Sequence, residues 1–343
     1  MLFATDETRN EHGDDFATSA ALLCFFRVQS VASFSPLALM LRFLLIRLLQ
    51  TLPVLWAVAT LTFFMVRYAP GGPFTAERSV PPEILKRLEA HYGLDQPLGA
   101  QYINFLKALV TGQQPSIRHS NRTVGEIIRE SFPVSLELGA WALLIALAIG
   151  LPAGMLAAQK PNTVQDYVPM SAAMVGVCLP TFVLGPMVVL FFALKLGWFH
   201  TSGWNTPGDR VLPALTLGFH LAAYIARLTR GGMLEIMGQD FIRTARAKGA
   251  SGLRILTRHA LRGGLLPVVT YLGPAAAGLI TGSFVIETVF NIPGLGKYFV
   301  GSVFDRDIPV VGGTVFFFSA IILFFNLLVD VAQAWLNPKV RLE

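Results

Sequence analysis

Six apolar stretches dominate this chain, at residues 43–66, 136–158, 168–194, 212–229, 266–290 and 312–335. A helix needs about 20 such residues to cross the hydrocarbon of a bilayer. Inside lipid each backbone N–H and C=O must be satisfied within its own segment, so helices are the form these stretches take. Composition agrees, with 14% of residues charged and 53% apolar, whereas a soluble domain carries roughly 25% charged residues. The expected fold class is an all-α integral membrane protein with six transmembrane helices.

Charge sets the orientation. The connection between the fourth and fifth stretches carries Arg243, Arg246, Lys248, Arg254, Arg258 and Arg262 against one acid, Asp240. Short loops rich in Lys and Arg stay on the cytoplasmic side. Both ends of the mature chain then lie inside, and Lys339 and Arg341 near the C-terminus agree. Because the positive residues flank apolar stretches, the net charge of +6 reflects topology and does not imply nucleic acid as a partner.

Residues 67–133 form a long extracytoplasmic stretch that charge leaves unoriented. Pro81-Pro82 starts one helix, which Gly93 stops, and a second is expected from about Pro97 to Val110 with Tyr102, Phe105, Leu106 and Leu109 on one face. This small helical lobe is either a lid over helix ends or a landing surface for an external partner. Residues 1–39 begin acidic and include an apolar run at 20–26 that is too short to span. They lack the positive start and cleavage site of a secretory signal. Met40, followed by LRFLLIRLLQ, reads as a start, so residues 1–39 are expected to be untranslated or a loose tail. An intact native mass that includes them would exclude the untranslated alternative.

Chemistry within the chain is not indicated. Gly294-Leu295-Gly296-Lys297 is followed by Tyr298, and position 291 is Asn, so the phosphate-loop pattern fails. No metalloprotease, nucleophile-elbow or C-x-x-C pattern is present, and Cys24 and Cys178 lie far apart. No cofactor is expected. Four ionisable residues fall in apolar stretches. Glu137, Glu287 and Asp330 sit near helix ends, where interfacial hydration accounts for them, and His220 lies deepest. A secondary transporter would have to use His220 for ion coupling. A membrane enzyme would need clustered polar residues at one depth, which are missing. Pro180, Gly185 and Pro186, and Gly273-Pro274, Gly278 and Gly282, mark two spans suited to close packing or to a passage that opens.

The basic connection at 235–265 reads as helix-turn-helix. Good helix formers from Glu235 to Lys248 end at Gly249, which favours the left-handed conformation that stops a helix. Ser251 caps the next helix, whose apolar side is Leu253, Ile255 and Leu256. The candidate site is therefore Asp240, Arg243, Thr244, Ala245, Arg246, Ala247, Lys248, Gly249 and Ala250, either a knob gripped by a soluble partner or a topology-setting loop without one.

The connection resembles the cytoplasmic loop of ABC-transporter permease subunits, with the general form E-A-A-x3-G-x9-I-x-L-P. Arg243-Thr244-Ala245 stand at E-A-A and Gly249 matches, whereas His259-Ala260-Leu261-Arg262 keep only the Leu of I-x-L-P. RTARAKG at 243–249, with RHAL and LLPV after it, is the form of the peptide-importer branch. MVRYAPGGPF at 65–74, YGLDQPL at 92–98, SFPVSLELG at 131–139, TGSFVIETVFNIPGLGKYFV at 281–300 and NPKVR at 337–341 extend the likeness over most of 40–341, nearest to the B-type permeases of oligopeptide importers. GQQPSI at 112–117 departs from relatives that have a longer Gly/Asp-containing stretch there. The resemblance implies a subunit of a bacterial inner-membrane importer, not an enzyme. Its implied partners are a second homologous permease, two ATP-binding-cassette ATPases, a periplasmic or lipid-anchored peptide-binding protein and membrane lipid. Dipeptides, metal chelates and glycans remain alternative cargoes.

Overall fold

A computed structural model describes residues 36–68, 95–119 and 121–336, with single positions 83, 86, 90 and 93 before them in the outer lobe. The described residues are almost wholly helical, with one isolated bridge between Pro115 and Thr123. Apart from those single positions, of which 83, 86 and 90 are helical, the expected first lobe helix lies outside them, as do the C-terminal Lys339 and Arg341. Helix α1 (Pro36–Tyr68) starts four residues before Met40, and α2 (Leu98–Thr111) is the expected second lobe helix. Phe105 of α2 packs with Ala59 and Phe63 of α1, and Tyr102, Leu106 and Leu109 border them. Tyr102 also exchanges a hydrogen bond with Thr60 at 2.7 Å. This face of the lobe lies on the membrane helices.

Helix α3 (Val124–Gln159) begins well before the apolar stretch it contains because its first turn is capped. Thr123 Oγ1 accepts from the Glu126 N–H at 3.3 Å, and the Glu126 carboxylate accepts from the Thr123 N–H at 2.8 Å. The third stretch is not one straight span. Helices α4 (Val164–Cys178) and α5 (Thr181–Val188), with the π-helical turn Val189–Lys195, meet at a bend of 105°. Pro180 removes a backbone donor at the break and holds an extended conformation. Among the described residues five helices are long and apolar enough to cross a membrane, and six spans result when this bent pair counts as one.

Helix α6 (Val211–Met237) runs 27 residues. The fourth stretch, shortest by composition, therefore belongs to a long helix, because Arg227 and Arg230 continue it without ending it. Next come α7 (Asp240–Ala247) and a helical run over 252–264, designated α8, which has a π turn at Ile255–Ala260. Helices α9 (Leu266–Gly282) and α10 (Phe284–Val289) divide the fifth stretch at Ser283. The amphipathic α11 (Leu295–Phe304) leads into the final span, α12 (Ile308–Leu336).

The centre of the fold is the α3–α6 pair. A Cβ on Gly150 would lie 2.7 Å from the Ala222 carbonyl, one on Gly154 2.4 Å from that of Ala226, and one on Gly218 2.8 Å from that of Ala142. Ala142, Ala146, Gly150 and Gly154 repeat every fourth residue, so one face of α3 is smooth enough for the two backbones to touch. Without a hydrophobic force between helices in lipid, such close approach supplies the dispersion contacts that hold them together.

The expectation that interfacial hydration accounts for Glu287 is corrected. Glu287 is wholly buried. It accepts from Ser283 Oγ at 2.6 Å and from the Lys297 N–H at 3.0 Å. A Cβ on Gly294 or Gly296 would strike its carboxylate, so the glycines of the failed phosphate pattern make room for a carboxylate of the chain itself. Asp330 pairs with Arg47 of α1 at 3.2 Å, and Glu137 with Arg210 at 2.5 Å.

Candidate functional site

The basic connection folds as a short lever beneath α6. The helix expected from Glu235 starts instead at Asp240, because α6 continues to Met237 and Gly238 and Gln239 break the run. Gly249 adopts φ +78°, with open space where a Cβ would stand, so backbone conformation is the reason for glycine. Its N–H donates to the Arg246 carbonyl at 2.9 Å, and the Ala250 N–H to the Ala245 carbonyl at 3.1 Å. Ser251 Oγ then caps the following helix by accepting from the Arg254 N–H at 3.4 Å.

One side of the lever is welded to the membrane helices. Ile242 and Ala245 pack with Ile255, Leu256, Ala260 and Met233, and with Ala158 at the end of α3. The approach above them is tight, since a Cβ on Gly232 would lie 2.3 Å from the Gly264 carbonyl. The other side is open. Asp240, Arg243, Thr244, Arg246, Ala247, Lys248 and Gly249 are exposed, Ala250 is half-buried, and Ala245 faces inward. Of the nine candidates, Ala245 therefore shapes the lever and is not on its exposed surface. Asp240 and Arg243 pair at 3.2 Å on that surface, and Thr244 Oγ1 donates to the Asp240 carbonyl at 3.1 Å.

Sequence reasoning passed over two features. Phe241 and Leu253 are 50% and 67% exposed, so two large apolar side chains stand among the basic residues. Leu253 was expected on the apolar side with Ile255 and Leu256, but only the latter two point inward. The second feature is Asp166, 2% exposed, which receives Arg230 Nε at 2.6 Å and Nη2 at 2.7 Å. The Asn162 N–H adds a third donor at 3.0 Å. This bidentate clamp holds α4 and the preceding turn to α6 two helical turns before the lever. His220, the ion-coupling candidate, donates from Nδ1 to the Gly176 carbonyl at 2.9 Å, so that nitrogen carries the proton. The described residues contain no cluster of three or more side chains suited to a metal.

Comparison with known proteins places this architecture. Residues 150–342 match the family of binding-protein-dependent transport system inner membrane components, and residues 40–138 match the N-terminal family of the same membrane components. The chain is 46% identical over 305 residues to the oligopeptide transport system permease protein OppB of Salmonella typhimurium, covering 88% of this chain and 100% of the relative. It is 43% identical over 305 residues to the dipeptide transport system permease protein DppB of Bacillus subtilis, covering 89% and 99%. An inward-facing structure of the MetNI methionine ABC transporter matches the fold with a TM-score of 0.52 at 19% identity, over 62% of this chain and 96% of that one.

The architecture is that of a multi-pass permease, a transport subunit and not an enzyme. The chain belongs to the family of binding-protein-dependent transport system inner membrane components, as a permease subunit of an ABC importer.

Proposed function

We propose that this permease forms, with a second homologous permease, the passage for oligopeptides or dipeptides through a bacterial inner membrane. Both chain ends and the lever face the cytoplasm. Two ATP-binding-cassette ATPases drive the passage, one of them gripping the lever, and a periplasmic or lipid-anchored peptide-binding protein delivers cargo to the opposite face, where the α2 lobe lies. The names of the relatives support the cargo. The observation that carries the coupling role is the division of the lever, with Ile242 and Ala245 packed against α6 and α3 while Phe241, Arg243, Arg246, Lys248 and Leu253 stand in the open. A loop that only set topology would need its charges, not a rigid back and an apolar tip.

The reading makes α6 a connecting rod. ATP-driven closure of the ATPases moves the lever, and because Ile242 packs beneath Met233, that movement passes into the helix that touches α3 along its length. The test is purification of the tagged chain from native membranes together with peptide uptake. Phe241→Asp with Leu253→Asp is expected to abolish co-purification of the ATPases and uptake of di- to pentaalanine, while the second permease stays bound. ATPase recovery and uptake equal to wild type would overturn the reading.

A further inference from the structure

The open side of α6 is polar where lipid would require it to be apolar. His220, Tyr224, Arg227 and Gly231 recur at intervals of four, three and four residues, and so share one helix face. His220 and Tyr224 are half-buried, and Arg227 and Gly231 are exposed. The His220 and Tyr224 rings meet edge-on at 5.5 Å, and Tyr224 stacks with Tyr271 of α9 at 6.1 Å. Two turns beyond Tyr271, Gly278 is exposed, and a Cβ there or on Gly231 would meet nothing within 4 Å. Among the described residues the Tyr224 and Tyr271 hydroxyls and the Arg227 guanidinium have no hydrogen-bond or ion-pair partner. His220 lies about 14 Å along α6 from Val211, at 1.5 Å per residue, and Arg227 about 24 Å, in a hydrocarbon layer roughly 30 Å thick. Unsatisfied hydroxyls between these depths do not face lipid chains, and the Arg227 guanidinium, about 6 Å from the boundary by the same rise, stands at the lever end of the same face.

We infer that His220, Tyr224, Arg227 and Tyr271, with the space over Gly231 and Gly278, line the passage and bind the peptide in transit. The inference rests on the peptide-importer reading above. The hydroxyls and the free imidazole Nε2 address groups every peptide has, its backbone N–H and C=O. The tyrosine rings offer apolar cover to whatever side chain follows. Arg227, an unpaired guanidinium, complements the peptide's terminal carboxylate. This selects peptides as a class without reading their sequence. Because α6 also ends at the lever, ligand and lever are joined through one helix.

The test uses the assembled importer in proteoliposomes, with both cysteines of this chain replaced by Ser and single cysteines placed at Gly231, Gly278 or, as a control outside the proposed passage, Leu52. A membrane-impermeant methanethiosulfonate cation is expected to modify positions 231 and 278, to spare 52, and to react at least fivefold more slowly in excess trialanine. Tyr224→Phe with Tyr271→Phe is expected to raise the half-saturating trialanine concentration for uptake roughly tenfold. Arg227→Gln is expected to erase the preference for trialanine over its C-terminal amide. Modification that trialanine does not slow, or unreactive 231 and 278 in a complex that transports, would overturn the inference and assign this face to the second permease. A wild-type complex that hydrolyses ATP yet takes up none of the di- to pentaalanine series would instead break the peptide reading itself.

Discussion

Helices α1 and α6 are both long and apolar enough to cross the membrane, yet 6% of the most apolar stretch of α1 is buried against 61% for α6. The outer face of α1 is Leu45, Leu48, Leu49, Leu52, Trp56, Leu61 and Met65, all well exposed. Its role is to meet lipid or a partner, and large flexible side chains serve that role in any register. Helix α6 instead buries Gly218, Ala222, Ile225 and Ala226 against α3 and leaves His220 and Tyr224 half-buried and Arg227 exposed on another face. Two helices of similar hydropathy therefore differ in where their small and polar residues fall. Apolar length makes a helix a span, and the four-residue rhythm of small residues makes it central.

The sharpest way to break this contrast is a large side chain in the α3–α6 seam. Gly154→Leu puts its first carbon 2.4 Å from the Ala226 carbonyl and beside Thr229. Backbone cannot yield there as a side-chain tip would, so the expected result is loss of folded permease, at least the 1–3 kcal/mol typical of overpacking and more where two backbones are in contact. Membrane abundance and detergent melting temperature check it. A variant as stable as wild type would show that the seam is not close-packed.

Next in size is the clamp. Asp166→Ala leaves Arg230 without its buried partner, and removing one member of such a pair costs about 3 kcal/mol. Arg230 is 29% exposed and regains some hydration, so Arg230→Met should cost more, because Asp166 is the buried charge. The double replacement Asp166→Ala with Arg230→Met should recover part of the loss. Measured melting temperatures that simply add would separate the two residues energetically.

Much of this was legible in the chain. Six spans, the α2 helix with its apolar face, the Gly249 stop and the Ser251 cap follow from composition, spacing and local backbone preference, which act over a few residues. The 105° bend was half legible, since Pro180 was recognisable as a disruptor but the angle depends on what α5 packs against. Glu287 was misplaced because its partners, Ser283 and the Lys297 N–H, are brought to it by a turn that only the fold defines. Asp166 and Arg230 stand 64 residues apart, and no local pattern pairs them. The α3 rhythm of Ala142, Ala146, Gly150 and Gly154 was present throughout and would have identified the central helix. Ala245 was included in the candidate loop with no direction given, because a motif marks importance without saying which way a side chain points.

A smaller effect sharpens the comparison at the Glu287 turn. Glu287→Ala removes the acceptor for Ser283 Oγ and the Lys297 N–H and opens a void beside Gly294 and Gly296. An unsatisfied buried donor costs about 1–3 kcal/mol, so a melting-temperature drop is expected with the spans intact. Glu287→Gln keeps the shape: its amide oxygen can accept from the Lys297 N–H while its NH2 donates to Ser283 Oγ, which turns from donor to acceptor, and it should retain most of the stability. If Gln proves as damaging as Ala, the carboxylate charge and not its hydrogen-bond geometry holds the turn.

The smallest expected effect is on α1. Leu52 is 60% exposed on the outer face of its helix, so Leu52→Ala leaves no enclosed cavity among the described residues and exchanges one apolar surface for another. Within the chain its cost should stay under about 0.5 kcal/mol, as for surface positions generally. The same substitution measured in the assembled importer asks a different question. If Leu52 meets lipid there, the melting temperature stays put. If that face of α1 packs on the second permease, truncation removes interface contacts and the assembled complex loses stability while the isolated chain does not. The difference between the two measurements reads out which surface α1 serves, and so whether its apolar face is as unspecific as the contrast with α6 implies.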